Sequence, residues 1–114
     1  MYKILNQESE IVAYIQNMMI LNKKREKVIG LVIGDCFFGN DTKVIGKIID
    51  QKVYLLNGEI IGTIEANKDK KDPELKKGLM LEAWEILSNI KSHTSDWITI
   101  SKKWSKKSFI EVLL

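Results

Sequence analysis

The chain has 114 residues, the size of one ordinary domain, with 45% hydrophobic and 29% charged residues, a globular rather than a disordered balance. Its one cysteine, Cys36, excludes an internal disulfide, and seven glycines with one proline leave no linker-like stretch, so residues 1–114 read as a single domain. A net charge of +3 is mildly basic, and Arg25 is the only arginine among lysines, the signature of an AT-rich coding sequence more than of an arginine-based nucleic-acid reader.

At the N-terminus, Gln7, Glu8 and Glu10 interrupt any signal-like apolar run, and the longest such runs, for example Met18 to Leu21, fall far short of a bilayer span. The expected setting is a reducing cytoplasm, with no membrane association. From Glu8 to Asn22, Ile11, Val12, Ile15, Met18 and Met19 recur at i, i+1, i+4, i+7 and i+8, which predicts a helix. Asn6 is its expected N-cap, and Lys23, Lys24 and Arg25 fall at its C-terminal end. The methionines are expected in the core.

From Lys27 to Ala66 valine and isoleucine dominate, with turn residues about every eight positions. The expected strands are Val28–Ile33, Cys36–Phe38, Lys43–Ile49, Lys52–Leu56 and Glu59–Glu65. Asn57-Gly58 is the sharpest hairpin signal, since a type I′ turn needs positive φ at both central residues. Within this stretch Lys27-Val28-Ile29-Gly30 recurs as Lys43-Val44-Ile45-Gly46 and Glu59-Ile60-Ile61-Gly62, the glycines sixteen residues apart. Sixteen residues make two strands and two turns, so each unit is one hairpin of an antiparallel meander. A parallel β-helix can carry a similar repeat, but three units between helices and a tight reversal at Asn57-Gly58 favour the meander.

Strict alternation would place Gly30, Gly46 and Gly62 on one apolar face with Val28, Val32, Val44, Ile48, Ile60 and Ile64, where a helix is expected to approach the glycines. The opposite face would carry Ile29, Leu31, Ile33, Ile45 and Ile49, together with Lys47, Ile61, Thr63 and Glu65. Its apolar part is a candidate partner surface.

Asp72-Pro73-Glu74 marks a helix start, and the helix is expected to run from Pro73 to about Ile90 with Leu75, Leu79, Ala83, Ile86 and Ile90 as its stripe, widened by Met80, Trp84 and Leu87. Gly78 and Ala83 are small enough to let it lie close on the glycine-bearing face. Trp97 to Ile100 and Phe109 to Leu114 are read as two strands forming a hairpin around the Lys102–Lys107 loop. The other reading of the last segment is a short helix capped by Ser105, with Lys106 and Lys107 at its unfavourable positive end. The expected fold is thus α+β: a five-stranded antiparallel meander packed against helices.

Motifs for chemistry are sparse. One cysteine and one histidine, His93, cannot build a Cys/His metal set, and no partner for either is evident. Glu82 and Glu85 lie three apart on a polar helix side, and Gly30 to Asp35 lacks the spacing of a phosphate loop. The expectation is therefore no enzyme, no metal and no cofactor. A protein-interaction or assembly module, self-associating as a dimer or binding a protein partner, is expected by elimination. The alternative is nucleic-acid binding by Lys102, Lys103, Lys106 and Lys107 with Trp104 stacking between them; an exposed Trp104 would favour it, and one folded back into the core would speak for a plain solvated lysine loop.

Overall fold

The computed structural model describes residues 1–39, 43–66, 78–90 and 98–113. Eight strands follow in chain order: β1 (Tyr2–Leu5), β2 (Ile11–Gln16), β3 (Met19–Leu21), β4 (Val28–Ile33), β5 (Cys36–Phe38), β6 (Val44–Ile49), β7 (Lys52–Leu55) and β8 (Ile60–Ala66). Each pairs antiparallel with the next, and β8 pairs back onto β1, with Lys3 opposite Glu65 and Ile4 opposite Ile64. The sheet is a closed up-and-down barrel with no free edge. Two short helices complete it, α1 (Leu79–Asn89) against the outside of β4 and α2 (Phe109–Leu113) across one mouth.

This overturns the α+β meander packed on helices. The segment expected as the first helix is the hairpin of β2 and β3. Its apolar spacing fits a helix, yet it fits equally two short strands broken by a two-residue turn. Asn17 (φ 50°) and Met18 (φ 68°) form that turn in the left-handed region, and Met18 is 54% exposed while Met19 is buried. Lys23, Lys24 and Arg25 lie in the β3–β4 loop. Asn6 caps no helix; its Oδ1 accepts from the N–H groups of Glu8 and Glu10 in the β1–β2 loop.

The repeat has four units, not three. Glu10-Ile11-Val12-Ala13-Tyr14-Ile15 is the first, with Ala13 in the glycine position. Every unit carries one β-bulge at the same place. Ala13 pairs with Ile4 and Ile11 with Leu5, leaving Val12 as the extra residue. Ile29, Ile45 and Ile61 are the extra residues of β4, β6 and β8. A bulge bends and twists its strand, and four in alternate strands curl an eight-stranded sheet far enough to close.

The bulges also redirect side chains, so strict alternation fails at each one. Ile29 and Ile61 are buried in the barrel interior, and Val12 and Ile45 pack against the same cluster. Val28 and Val44 turn outward to the cluster beneath α1, and Ile60 to one beside Trp104. Gly30, Gly46 and Gly62 do face one side, the interior, but what crowds them is the next strand. A Cβ on Gly30 would meet the carbonyl oxygen of Phe38, one on Gly46 that of Tyr54, and one on Gly62 that of Leu5. Quasi-equivalence extends to the turns: Val32, Ile48 and Ile64 each donate an N–H, at 2.7–2.8 Å, to a turn carbonyl at Met18, Asp35 and Gln51 respectively.

The stripe Leu79, Ala83, Ile86 and Ile90 holds as read, but it covers the outer face of Met19, Leu31, Cys36 and Phe38 rather than the glycine face. The expected helix does not continue back through Gly78, which stands at the N-cap of α1 with φ 99° and open space where a Cβ would sit, rather than in close packing on a sheet. Residues 73–77 lie outside the described residues, as does Trp97. Ile98 to Ile100 form no strand, and the C-terminal hairpin is absent. Residues 98–105 run instead along the barrel wall. Ile60 N–H donates to the Lys103 carbonyl at 2.8 Å, and Ser105 N–H to the Ile60 carbonyl at 2.7 Å. The last segment is helical because Ser108 and Glu111 form a capping box: Glu111 N–H donates to Ser108 Oγ (3.2 Å), and Ser108 N–H to Glu111 Oε1 (3.1 Å). The cap lies three residues beyond Ser105, which keeps Lys106 and Lys107 outside the helix.

Candidate functional site

Apolar side chains of the strands and of α2 form one buried cluster inside the barrel. Ile4, Ile20, Phe37 and Val53 meet Phe109 and Leu113 of α2, and the Phe37 and Phe109 rings stack with centroids 6.3 Å apart. On the outside two surfaces stand out.

The first is the mouth closed by α2. Three grooves ring the plug, of about 660, 620 and 610 Å³. Lys103, Lys106 and Lys107 line the first and third, and Lys23 and Lys24 the second. Asn6 and Val12 border both the first and the second, so these two grooves meet. Lys102, Lys103, Lys106 and Lys107 are all exposed. Trp104 is half-buried: it packs on Tyr54, Ile60 and Ile98 outside the barrel and also lines the first groove beside the lysines. Glu111, at the same mouth, has its carboxyl held below the usual range, first by the Ser108 N–H, then by the Ser108 hydroxyl and the Lys107 charge.

The second is the outer side of α1. With one face on β4, this helix still exposes Met80 (48%), Leu81 (69%) and Trp84 (61%). On a helical wheel Leu87, Met80, Trp84, Ser88 and Leu81 form one arc, with Glu82, Glu85 and Asn89 confined to the remaining flank. The sequence pattern groups Met80 and Trp84 with the core stripe, whereas the fold leaves both exposed. The signal was there in the stripe's width, which exceeds what one sheet face can cover.

The five residues expected as a partner surface do not share a face. Ile29 and Ile45 are inside the barrel, Leu31 and Ile33 are under α1, and Ile49 packs on the cluster beside Trp104. The bulges divide them.

Cys36 is buried beneath α1, its Sγ 3.5 Å from Asp35 Oδ1, and His93 lies outside the described residues. Among the described residues no group of three His, Cys, Asp or Glu side chains could hold a metal ion. No described helix is long and apolar enough to cross a membrane. No family model, no curated protein and no solved structure matches this chain.

Proposed function

We propose that the chain is a non-enzymatic protein-interaction module of the cytoplasm, and that its docking surface is the outer side of α1. The observation that carries this reading is Trp84, more than half exposed at the midpoint of an eleven-residue helix and flanked by exposed Met80 and Leu81. Aromatic anchors of this kind dominate binding energy at interfaces. On the ~150–250 Å² scale of a large side chain, the three residues present on the order of 350 Å² of apolar surface, within the range of patches that are functional on monomers.

The occupant is a second copy of the chain. About Trp84 the arc is symmetric: Met80 lies four residues before it and Ser88 four after, Leu81 three before and Leu87 three after. In an antiparallel pair related by a two-fold axis at Trp84, Met80 of one copy meets the small Ser88 of the other, and Leu81 meets Leu87. Two such patches bury about 700 Å² in all, below the ~1,200 Å² of stable specific interfaces, so the pair is a weak, concentration-dependent equilibrium rather than an obligate dimer.

Sedimentation of the whole chain over a hundredfold concentration range tests this. The mass should rise from monomer toward dimer, and Trp84→Ala should abolish the rise while leaving the thermal transition within about 0.5 kcal/mol, as for an exposed side chain. Monomer at every concentration, or dimerisation unchanged in Trp84→Ala, would refute the assignment.

A further inference from the structure

The grooves around α2 have a chemistry that the α1 surface does not share. Among the described residues, the loops at this end and the strap along the barrel wall carry nine basic side chains: Lys23, Lys24, Arg25, Lys27, Lys43, Lys102, Lys103, Lys106 and Lys107. They carry five acidic ones: Glu8, Glu10, Glu26, Glu59 and Glu111. The other end and its flanks are balanced, with Lys3, Lys47 and Lys52 against Asp35, Asp50 and Glu65. The ion pairs of Lys3 with Glu65 and of Lys47 with Asp35 belong to the balanced end. Lys23, Lys24, Lys103, Lys106 and Lys107 are exposed, and among the described residues none of them forms an ion pair.

Trp104 turns this cationic rim into a more specific surface. The indole is partly buried against the cluster of Tyr54, Ile60 and Ile98, and its backbone is clamped by the hydrogen bonds of Lys103 and Ser105 to Ile60. It also borders the groove that holds Lys103, Lys106 and Lys107. A held aromatic ring beside phosphate-neutralising lysines suits an unpaired base, which has a free π-face; a duplex offers none along its length.

We propose that the α2 mouth binds single-stranded nucleic acid, its phosphates contacting the lysines on both sides of the plug and one base stacking on Trp104. Lysine acts on phosphate as a point charge and reads no base edge, so binding is independent of sequence.

The test is fluorescence anisotropy of a fluorescein-labelled oligothymidylate of about 12 nucleotides, a length within the usual site sizes of such grooves. With five lysines engaged, log K should fall against log salt with a slope of about −3.5. Changing Lys103, Lys106 and Lys107 together to Gln should flatten that slope by about 2. Trp104→Leu, which keeps the apolar contact and removes the stack, should weaken binding at least about fivefold, whereas Trp104→Phe should retain most of it. A polyadenylate of equal length should bind comparably, and Trp84→Ala should change nothing. The proposal is overturned by no binding at the lowest salt, by full affinity in Trp104→Leu, by a duplex of the same length binding as tightly, or by polyglutamate displacing the oligonucleotide as well as unlabelled oligothymidylate does.

Discussion

Replacing Gly46 with valine is expected to destabilise the protein by more than about 3 kcal/mol, above the usual range for overpacking. The obstacle is backbone: a Cβ at this position runs into the carbonyl oxygen of Tyr54, with the Phe37 ring 2.6 Å away and the Tyr54 carbonyl carbon 2.9 Å away. A flexible side chain can swing aside, whereas the Tyr54 peptide is held by β6 on one side and β8 on the other. Gly62 is the internal control. Its nearest neighbours are Ile4 Cγ2 at 3.0 Å and the Leu5 carbonyl oxygen at 3.3 Å, so alanine there should change stability by no more than about 1 kcal/mol in either direction. Urea melts of the two variants and the parent measure the difference. Equal midpoints for Gly46→Val and the parent would show that Gly46 does not lie against β7.

Phe109→Ala is expected to cost about 3–5 kcal/mol, the range for deleting a buried aromatic ring. Phe109 is 3% exposed, and its ring stacks on Phe37, itself fully buried. The loss removes a ring that α2 packs into the interior cluster and leaves a void there. Because the total stability of such a domain is about 5–15 kcal/mol, this one change can consume most of it. The effect should be coupled to Phe37: in a Phe37→Leu background, Phe109→Leu should cost about 0.5–1.5 kcal/mol less than in the parent. If α2 were a loosely attached tail, Phe109→Ala would move the denaturation midpoint by less than about 1 kcal/mol and show no coupling.

Much of the barrel wall is legible in the sequence. The five strands between Lys27 and Ala66 fall within one residue of their expected ends, because β-branched runs there are punctuated by Gly34-Asp35, Asp50-Gln51 and Asn57-Gly58. The last, however, makes a four-residue connection with positive φ at Gly58 and not at Asn57, so it is not the expected type I′ turn. The first unit of the repeat is hidden in the sequence for two reasons. Ala13 stands where the other units have glycine, and Asn17-Met18 makes a left-handed turn without a glycine to mark it. With that turn hidden, Ile11, Val12, Ile15 and Met19 satisfy a 3.6-residue period as well as they satisfy two strands. Closure was illegible for a related reason: it depends on bulges at Val12, Ile29, Ile45 and Ile61, and a bulge has no signature in an apolar run.

The candidate surfaces divide in the same way. Exposure of Lys102, Lys103, Lys106 and Lys107 followed from their local density. The fixing of Trp104 on Tyr54 and Ile60 did not, since those residues are brought together by the wall of a barrel that the sequence did not announce. Nor did the sequence place Lys23 and Lys24 beside the plug. That neighbourhood exists only because the β3–β4 loop and the C-terminal segment meet at one end of a closed sheet.

The closed four-unit barrel is tested most directly by backbone NOE measurements on the labelled protein. Lys3 and Ile4 should show cross-strand contacts both to Tyr14 and Ala13 of β2 and to Glu65 and Ile64 of β8, and residues 11–21 should give the pattern of an antiparallel hairpin. Sequential i to i+3 contacts through residues 8–22, with none between β1 and β8, would establish an open sheet with an N-terminal helix and contradict it.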